Sequence, residues 1–279
     1  MRIDRAGGIQ MACVSADASE TRLFLLGHQD DEIAFAPLIS RFKSQGLPVR
    51  VVYLTDGGIG RATPERRNTE STRALASLGV PSAEITYLGN ELSVPNGLLF
   101  RRLSQVYSAL EAQSSGISSL GEIYTLGWEG GNMDHDAAHL IAMVLAIVKD
   151  RVRGAWQVPF YRAADRGPPF FSLFAPLPAN GPVSRLSLTR RESRLRLGLI
   201  RYFPSQWRSF AGLGPAILWH ALANPVLKLQ PMLLNRLWER PTAGPLLYEQ
   251  RYAVSFREFS EYAAAFLRDR GITPAMESA

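Results

Sequence analysis

Up to about residue 160, short apolar β-rich runs alternate with longer stretches of helical period, and this alternation restricts the fold more than any other feature of the chain. It predicts βαβ units and a mainly parallel sheet flanked by helices, an α/β class. Strands are expected at 22–27, 50–55, 85–88, 122–126 and near 155–160. The helices between them are expected at 32–45, 64–78, 98–111 and 135–149, with Gly79 as the stop of the second. A chain of 279 residues that is 46% hydrophobic can bury a core of that size.

Beyond this point the alternation lapses. Residues 163–187 are rich in Pro, Gly and Ala and read as an irregular excursion, whereas 187–203 regain helical period with many arginines. The dense apolar run 212–240 is interrupted by Pro215, Pro225 and Pro231, which excludes a transmembrane helix and leaves a lid, a homo-oligomer surface or a peripheral membrane contact. Residues 246–254 read as a late strand and 256–267 as a closing helix. The expected organisation is a flexible arm over 1–20 and one domain over 21–279. Within that domain, 21–160 form the core and 161–279 an elaboration.

The net charge of +6 comes from arginines without a clustered run or aromatic interleaving, so a nucleic-acid partner is not expected. Cys13 is the single cysteine, which rules out an intramolecular disulfide and any Cys-rich zinc site and fits a cytoplasmic setting.

Three polar turns follow predicted strands: His28-Gln29-Asp30-Asp31-Glu32, Asp56-Gly57-Gly58, and Gly130-Gly131-Asn132-Met133-Asp134-His135. In open α/β sheets such loops converge outside the carboxyl ends of the strands. Their composition suits a zinc ion held by two histidines and one carboxylate, with a fourth position for water. His28 and Asp31 can face one point while His135 arrives from the fourth strand. Adjacent Asp30 and Asp31 diverge, so one carboxylate can ligate while the other acts as a base toward water, the division that amide hydrolysis needs. Each feature also has an ordinary reading. Asp30 and Asp31 could cap the following helix, Arg67 and Glu70 could pair along one, Asn96-Gly97 could be a turn, and Asp134 could cap or orient a ligand imidazole. His139 shares a helix face with His135 and is placed behind the ligands or in packing. Gly57, Gly58 and Gly60 lack the Lys-Ser/Thr of a phosphate loop.

The motifs LFLLGHQDDE and EGGNMDHDAAH, with the intervening TDGGIGR and RRNTESTRALASLGV, resemble the PIG-L or LmbE-like de-N-acetylases over roughly residues 20–150. Ser205-Gln206 matches a weaker C-terminal feature of many members. The resemblance implies a Rossmann-like zinc hydrolase acting on N-acetylglucosamine-containing substrates. It further implies His28, Asp31 and His135 as ligands, Asp30 as the base, and Arg67 and Asn96 as substrate contacts. Two positions depart from the family pattern. Gln29 replaces a proline, and Asn132 replaces a histidine; Asn132 can donate a hydrogen bond to an oxyanion but cannot titrate. The chain is therefore expected to remove an acyl group, in the first instance acetyl, from an amino-sugar nitrogen, with Zn2+ or another divalent ion such as Fe2+. An amidase acting on a thiol conjugate or an antibiotic sugar, and a non-catalytic glycan- or partner-binding member, are the two other readings of the same residues.

Overall fold

The computed structural model describes residues 17–117, 119–164 and 171–274; Cys13 and most of the expected N-terminal arm lie outside the described residues. The N-terminal half runs β1 (Thr21–Leu26), α1 (Glu32–Ser44), β2 (Val49–Tyr53), α2 (Pro64–Ser77), β3 (Ile85–Thr86), α3 (Leu88–Glu91), α4 (Leu103–Ser114), β4 (Leu120–Leu126) and α5 (Met133–Val148). It continues through β5 (Ala155–Val158), β6 (Tyr161–Ala163), β7 (Phe171–Leu173), β8 (Ser184–Ser187), α6 (Arg190–Ile200), α7 (Trp207–Ala223), β9 (Val226–Pro231), α8 (Leu247–Tyr252) and α9 (Phe256–Arg268).

Seven strands form one sheet in the order β3-β2-β1-β4-β5-β9-β8, and β6 pairs with β7 separately. The β1–β2, β2–β3, β1–β4 and β4–β5 pairs are parallel, as expected, while β9 runs antiparallel to both β5 and β8. Consecutive strands step away from β1 in both directions, so the topological switch point lies between β1 and β4. In open α/β sheets ligands bind outside the carboxyl ends of the strands at such a point, and the loops after β1 and β4 meet there.

Both faces of the sheet are covered, which is why β1 is buried throughout and its Leu23–Leu26 run is apolar without alternation. Leu23 and Leu25 pack with α4, α5 and α9, whereas Phe24 and Leu26 pack with α1, α2, α6 and α7. Burial of each such side chain is worth roughly 1.5–3 kcal/mol. The Phe24 ring also stacks on Tyr124 of β4 at 4.9 Å between centroids.

Four expectations are corrected. Residues 246–254 contain helix α8, not a strand: the Glu249 carboxylate takes the N–H of Leu246 at 2.9 Å and that of Phe256 at 2.9 Å, which closes a helical turn. The excursion 163–187 includes β7 and the edge strand β8. The proline-broken run contains helix α7, which continues through Pro215, and then β9, whose Leu227 and Leu229 point inward between Pro225 and Pro231. The helix expected at 98–111 begins at Leu103, after a 3-10 turn over Leu99–Arg101. No described helix is long and apolar enough to cross a membrane.

Candidate active site

The turn after β1 and the N-terminus of α5 after β4 bring His28, Asp31 and His135 together, all three buried. His28 Nδ1 lies 3.2 Å from His135 Nε2 and 3.6 Å from Asp31 Oδ2, and His135 Nε2 lies 3.0 Å from Asp31 Oδ1. A tetrahedral ion with bonds of about 2.0–2.1 Å separates its donors by roughly 3.3 Å, so the triangle fits a zinc-sized cation. Asp31 flanks α1, but its side chain caps nothing; instead it accepts the N–H of His28 at 2.7 Å and faces both imidazoles. The capping reading of this carboxylate therefore fails.

Electrostatics also bind the cluster. Burial opposes a charged His28, but hydrogen bonds to Asp134 and Asp31 and their negative charge outweigh it, leaving its pKa pushed up to about 10 in the protein alone. Burial likewise works against the Asp31 carboxylate, yet His135 and His28 hold it far below the ordinary range.

The orienting group is Asp134, whose Oδ2 accepts from His28 Nε2 at 2.9 Å. The same carboxylate receives the N–H groups of Gly97 and Leu99, which docks the Asn96 loop against the site. Asn96 itself is half-buried in a turn closed by the N–H of Leu98 on the carbonyl of Pro95. His139 is buried one helical turn beyond His135, and its Nδ1 pairs with the carbonyl of Leu126 at 3.0 Å. Burial lowers its pKa to about 4, so it is a neutral packing residue against Trp128.

Asp30 diverges from Asp31, as expected of adjacent side chains, and its Oδ1 sits 3.1 Å from Arg67 Nη2. Burial pushes the Asp30 carboxyl up while the Arg67 charge pulls it back. Its backbone has φ 139°, a conformation non-glycine residues rarely adopt, and its N–H donates to Glu32 Oε2 at 2.9 Å. Arg67 does not form the expected helical pair with Glu70. Arg66 takes Glu70 at 3.2 Å, and Arg67 turns into the buried site. Glu70 also holds the N–H of Ser205 at 3.1 Å and the Ser205 hydroxyl, which ties the Ser205-Gln206 turn to α2.

Gln29 is fully buried and bridges loops: its Nε2 donates to Asn68 Oδ1 at 2.7 Å and to the carbonyl of Asp56 at 3.2 Å. A Cβ on Gly57, which has φ 67°, would fall 1.8 Å from Gln29 Oε1, so the glycine and the glutamine fit each other. Asn132 is the N-cap of α5. Its Oδ1 accepts the Asp134 N–H at 2.8 Å, which leaves only Nδ2 to donate, and Nδ2 faces Tyr161 Oη at 3.5 Å.

Tyr161 was not singled out by the sequence reasoning. Its ring lies 5.4 Å from that of His135, edge to face, and burial raises its hydroxyl pKa well above the usual value. The available signal was positional, since Tyr161 follows β5 at the same sheet edge as the other loops. Also unremarked were Glu129 and Asp136, which burial pushes up to about 8 and about 7; they accept the N–H groups of Phe160, and of Glu129 and Gly130, and so shape the glycine turn.

Comparisons with known proteins agree with this architecture. Residues 23–146 match the family model of PIG-L, described as GlcNAc-PI de-N-acetylase. No curated protein sequence matches the chain. Among solved structures, the A40926 pseudoaglycone deacetylase Dbv21 is similar at 15% identity and TM-score 0.56, covering 82% of this chain and 100% of that one. A triple mutant of a deacetylase of teicoplanin biosynthesis is similar at 14% identity and TM-score 0.59, covering 77% and 98%. The zinc-inhibited form of teicoplanin deacetylase Orf2 is similar at 14% identity and TM-score 0.57, covering 76% and 98%. At these identities the structures speak for the fold. The matched segment 23–146, which runs from β1 into α5 and carries all three loops of the site, is the part of the chain that is similar to the PIG-L family.

Proposed function

We propose that the protein is a zinc-dependent de-N-acetylase that hydrolyses the N-acyl amide, in the first instance N-acetyl, of an amino-sugar-containing substrate. The observation that carries the reading is the triangle of His28 Nδ1, Asp31 and His135 Nε2, with the Asp30 carboxylate beside it on a different line of approach. When bound, zinc lowers the pKa of a coordinated water toward neutrality and polarises a carbonyl. His28, Asp31 and His135 would hold the ion, and Asp134 would fix the imidazole of His28.

The chain's own groups supply the remaining chemistry. Asp30 takes the proton of the attacking water and returns it to the departing amine, giving a carboxylic acid and a free amine. Arg67 aims that carboxylate and favours its charged form against the opposing effect of burial. Asn132 Nδ2 and the protonated hydroxyl of Tyr161 are the available donors for the developing oxyanion, so donation does not require a titrating group at position 132. Arg67, in the first turn of α2, and Asn96, in the turn that Asp134 anchors, are assigned contact with sugar hydroxyls.

Metal content of the purified protein tests the centre without knowledge of the substrate. About one zinc per chain is expected, lost in both His28→Ala and His135→Ala. Acetate release is then screened over N-acetylated amino sugars, free and lipid-linked, and over acylated glycopeptide sugars, which separates the reading from the antibiotic-sugar amidase. No zinc, and none taken up on addition, would remove the mechanism. Zinc without turnover on any of these classes would favour a binding role.

A further inference from the structure

The second half of the chain contains a helix whose outward face is unlike a solvent face. In α7 the exposed positions are Trp207, Arg208, Ser209, Ala211, Gly212, Pro215, Leu218, Trp219, Leu222 and Ala223; Arg208 alone is charged, and no acidic residue occurs in the helix. Trp207 is 63% exposed, Trp219 68% and Leu222 61%, a concentration of large apolar side chains that no described residue covers. At helical spacing these positions fall on one stripe opposite Phe210, Ile217 and Ala221, which are buried against the sheet.

Charge is distributed around this helix in an equally uneven way. Residues 184–223, spanning β8, α6 and α7, hold seven arginines and one glutamate, a net +6 that equals the charge of the entire chain; the remaining residues carry 24 basic and 24 acidic side chains. Glu192 is already neutralised by Arg41, and Arg185, Arg190, Arg191, Arg194, Arg201 and Arg208 are exposed. Helix α6 packs directly on α7.

We propose that α7, with the arginines of β8 and α6, docks this protein on an anionic phospholipid bilayer. An apolar stripe bearing Trp and Leu, next to basic residues and without acidic ones, fits the boundary between headgroups and acyl chains. At 17 residues, helix α7 is too short to span, so it lies along the surface. A nucleic acid would satisfy the arginines but leave Trp219, Leu218 and Leu222 in water. A second copy of the chain would bury the apolar stripe but bring two +6 segments together. Arg208 and Gly212 also line a cleft whose other wall includes Tyr161, Arg251 and Tyr252, so docking brings the approach to Tyr161 close to the membrane. The inference does not depend on the hydrolytic reading.

The test is flotation of the full chain with vesicles of phosphatidylcholine alone and of phosphatidylcholine mixed with phosphatidylglycerol, at low and high salt. Flotation with the anionic vesicles, weakened by salt, is expected. Leu218→Glu combined with Trp219→Glu should lower partition at least about tenfold, and Arg190→Glu or Arg194→Glu about fivefold or more, each with an unchanged melting temperature. Brominated phosphatidylglycerol should quench tryptophan fluorescence of the unaltered protein, a reading independent of any variant's folding. Absence of flotation, flotation indifferent to the α7 substitutions, or absence of quenching would each overturn the proposal. So would a dimer in sedimentation that the α7 substitutions dissolve while vesicles bind nothing.

Discussion

Asp134 Oδ2 lies 2.9 Å from His28 Nε2 while its carboxylate also receives the N–H groups of Gly97 and Leu99, so one buried side chain orients an imidazole and anchors a loop from another part of the sheet edge. The bond fixes the tautomer of His28 so that Nε2 carries the hydrogen and Nδ1, on the side of Asp31 and His135, keeps its lone pair free to bind a metal. Carboxylates placed in this way typically contribute 10–100-fold to metal affinity. Asp134→Asn, which keeps an acceptor for the loop, should therefore fold normally and bind zinc about 10–100-fold more weakly in a chelator competition. Unchanged affinity would reduce Asp134 to a loop anchor.

Asp30 combines an unusual backbone with a carboxylate aimed away from the His-Asp-His triangle. Asp30→Asn should retain zinc and lose roughly 10²–10⁴-fold in turnover, because the base is removed and the ligands are not. The backbone makes a separate prediction. At φ 139° a Cβ is strained by about 1–3 kcal/mol, so Asp30→Gly should be more stable than Asp30→Ala, the reverse of the usual order. Both variants leave Arg67 without its partner, and the comparison cancels that cost. Thermal melts of the two proteins decide it.

Two glycines make a paired prediction about sterics. A Cβ at Gly131 would sit 1.8 Å from the carbonyl oxygen of Tyr161, a backbone atom that cannot swing aside, whereas a Cβ at Gly198 on the exposed side of α6 meets nothing within 4 Å. Gly131→Ala should cost roughly 1–3 kcal/mol and lower turnover by displacing Tyr161. Gly198→Ala should stabilise by up to about 1 kcal/mol through helix propensity alone. Denaturant midpoints of the two variants should move in opposite directions.

The parallel half of the sheet was legible because its signals agree: strand-length apolar runs, helical period between them, and polar turns after β1, β2 and β4. That agreement sufficed to bring His28, Asp31 and His135 to one crevice, since the switch point between β1 and β4 leaves their loops no other place to meet. The partner of Arg67 was not legible, because i,i+3 spacing to Glu70 cannot show that Arg66 competes for the same carboxylate. Residues 246–254 were misread because their alternating apolar pattern carries no sign that Glu249 will capture two backbone N–H groups. Strand β9 was hidden by its flanking prolines and by Lys228 at its centre; only pairing with β5 and β8 makes it a strand.

The contact between Arg41 of α1 and Glu192 at the start of α6 gives a pH dependence remote from the site. Arg41 Nε and Nη2 reach the two carboxylate oxygens at 2.7 and 2.8 Å, and Glu192 Oε2 also accepts the Thr189 N–H at 2.8 Å. The Arg41 hydrogen bonds, with burial opposing and Thr189 assisting, hold the Glu192 carboxyl at about 2, below the ordinary 4.5. A folded-state pKa depressed in this way contributes stability that is complete above the unfolded value and lost as pH falls from about 4.5 toward 2. The pair is partly open to solvent, so the contribution at neutral pH is at most about 1 kcal/mol. Glu192→Gln should therefore lower the urea midpoint at pH 7, and the gap from the unaltered protein should shrink steadily below about pH 4.5. A gap that persists unchanged into that acid range would assign the contact to packing and helix capping rather than to charge, since neither of those titrates.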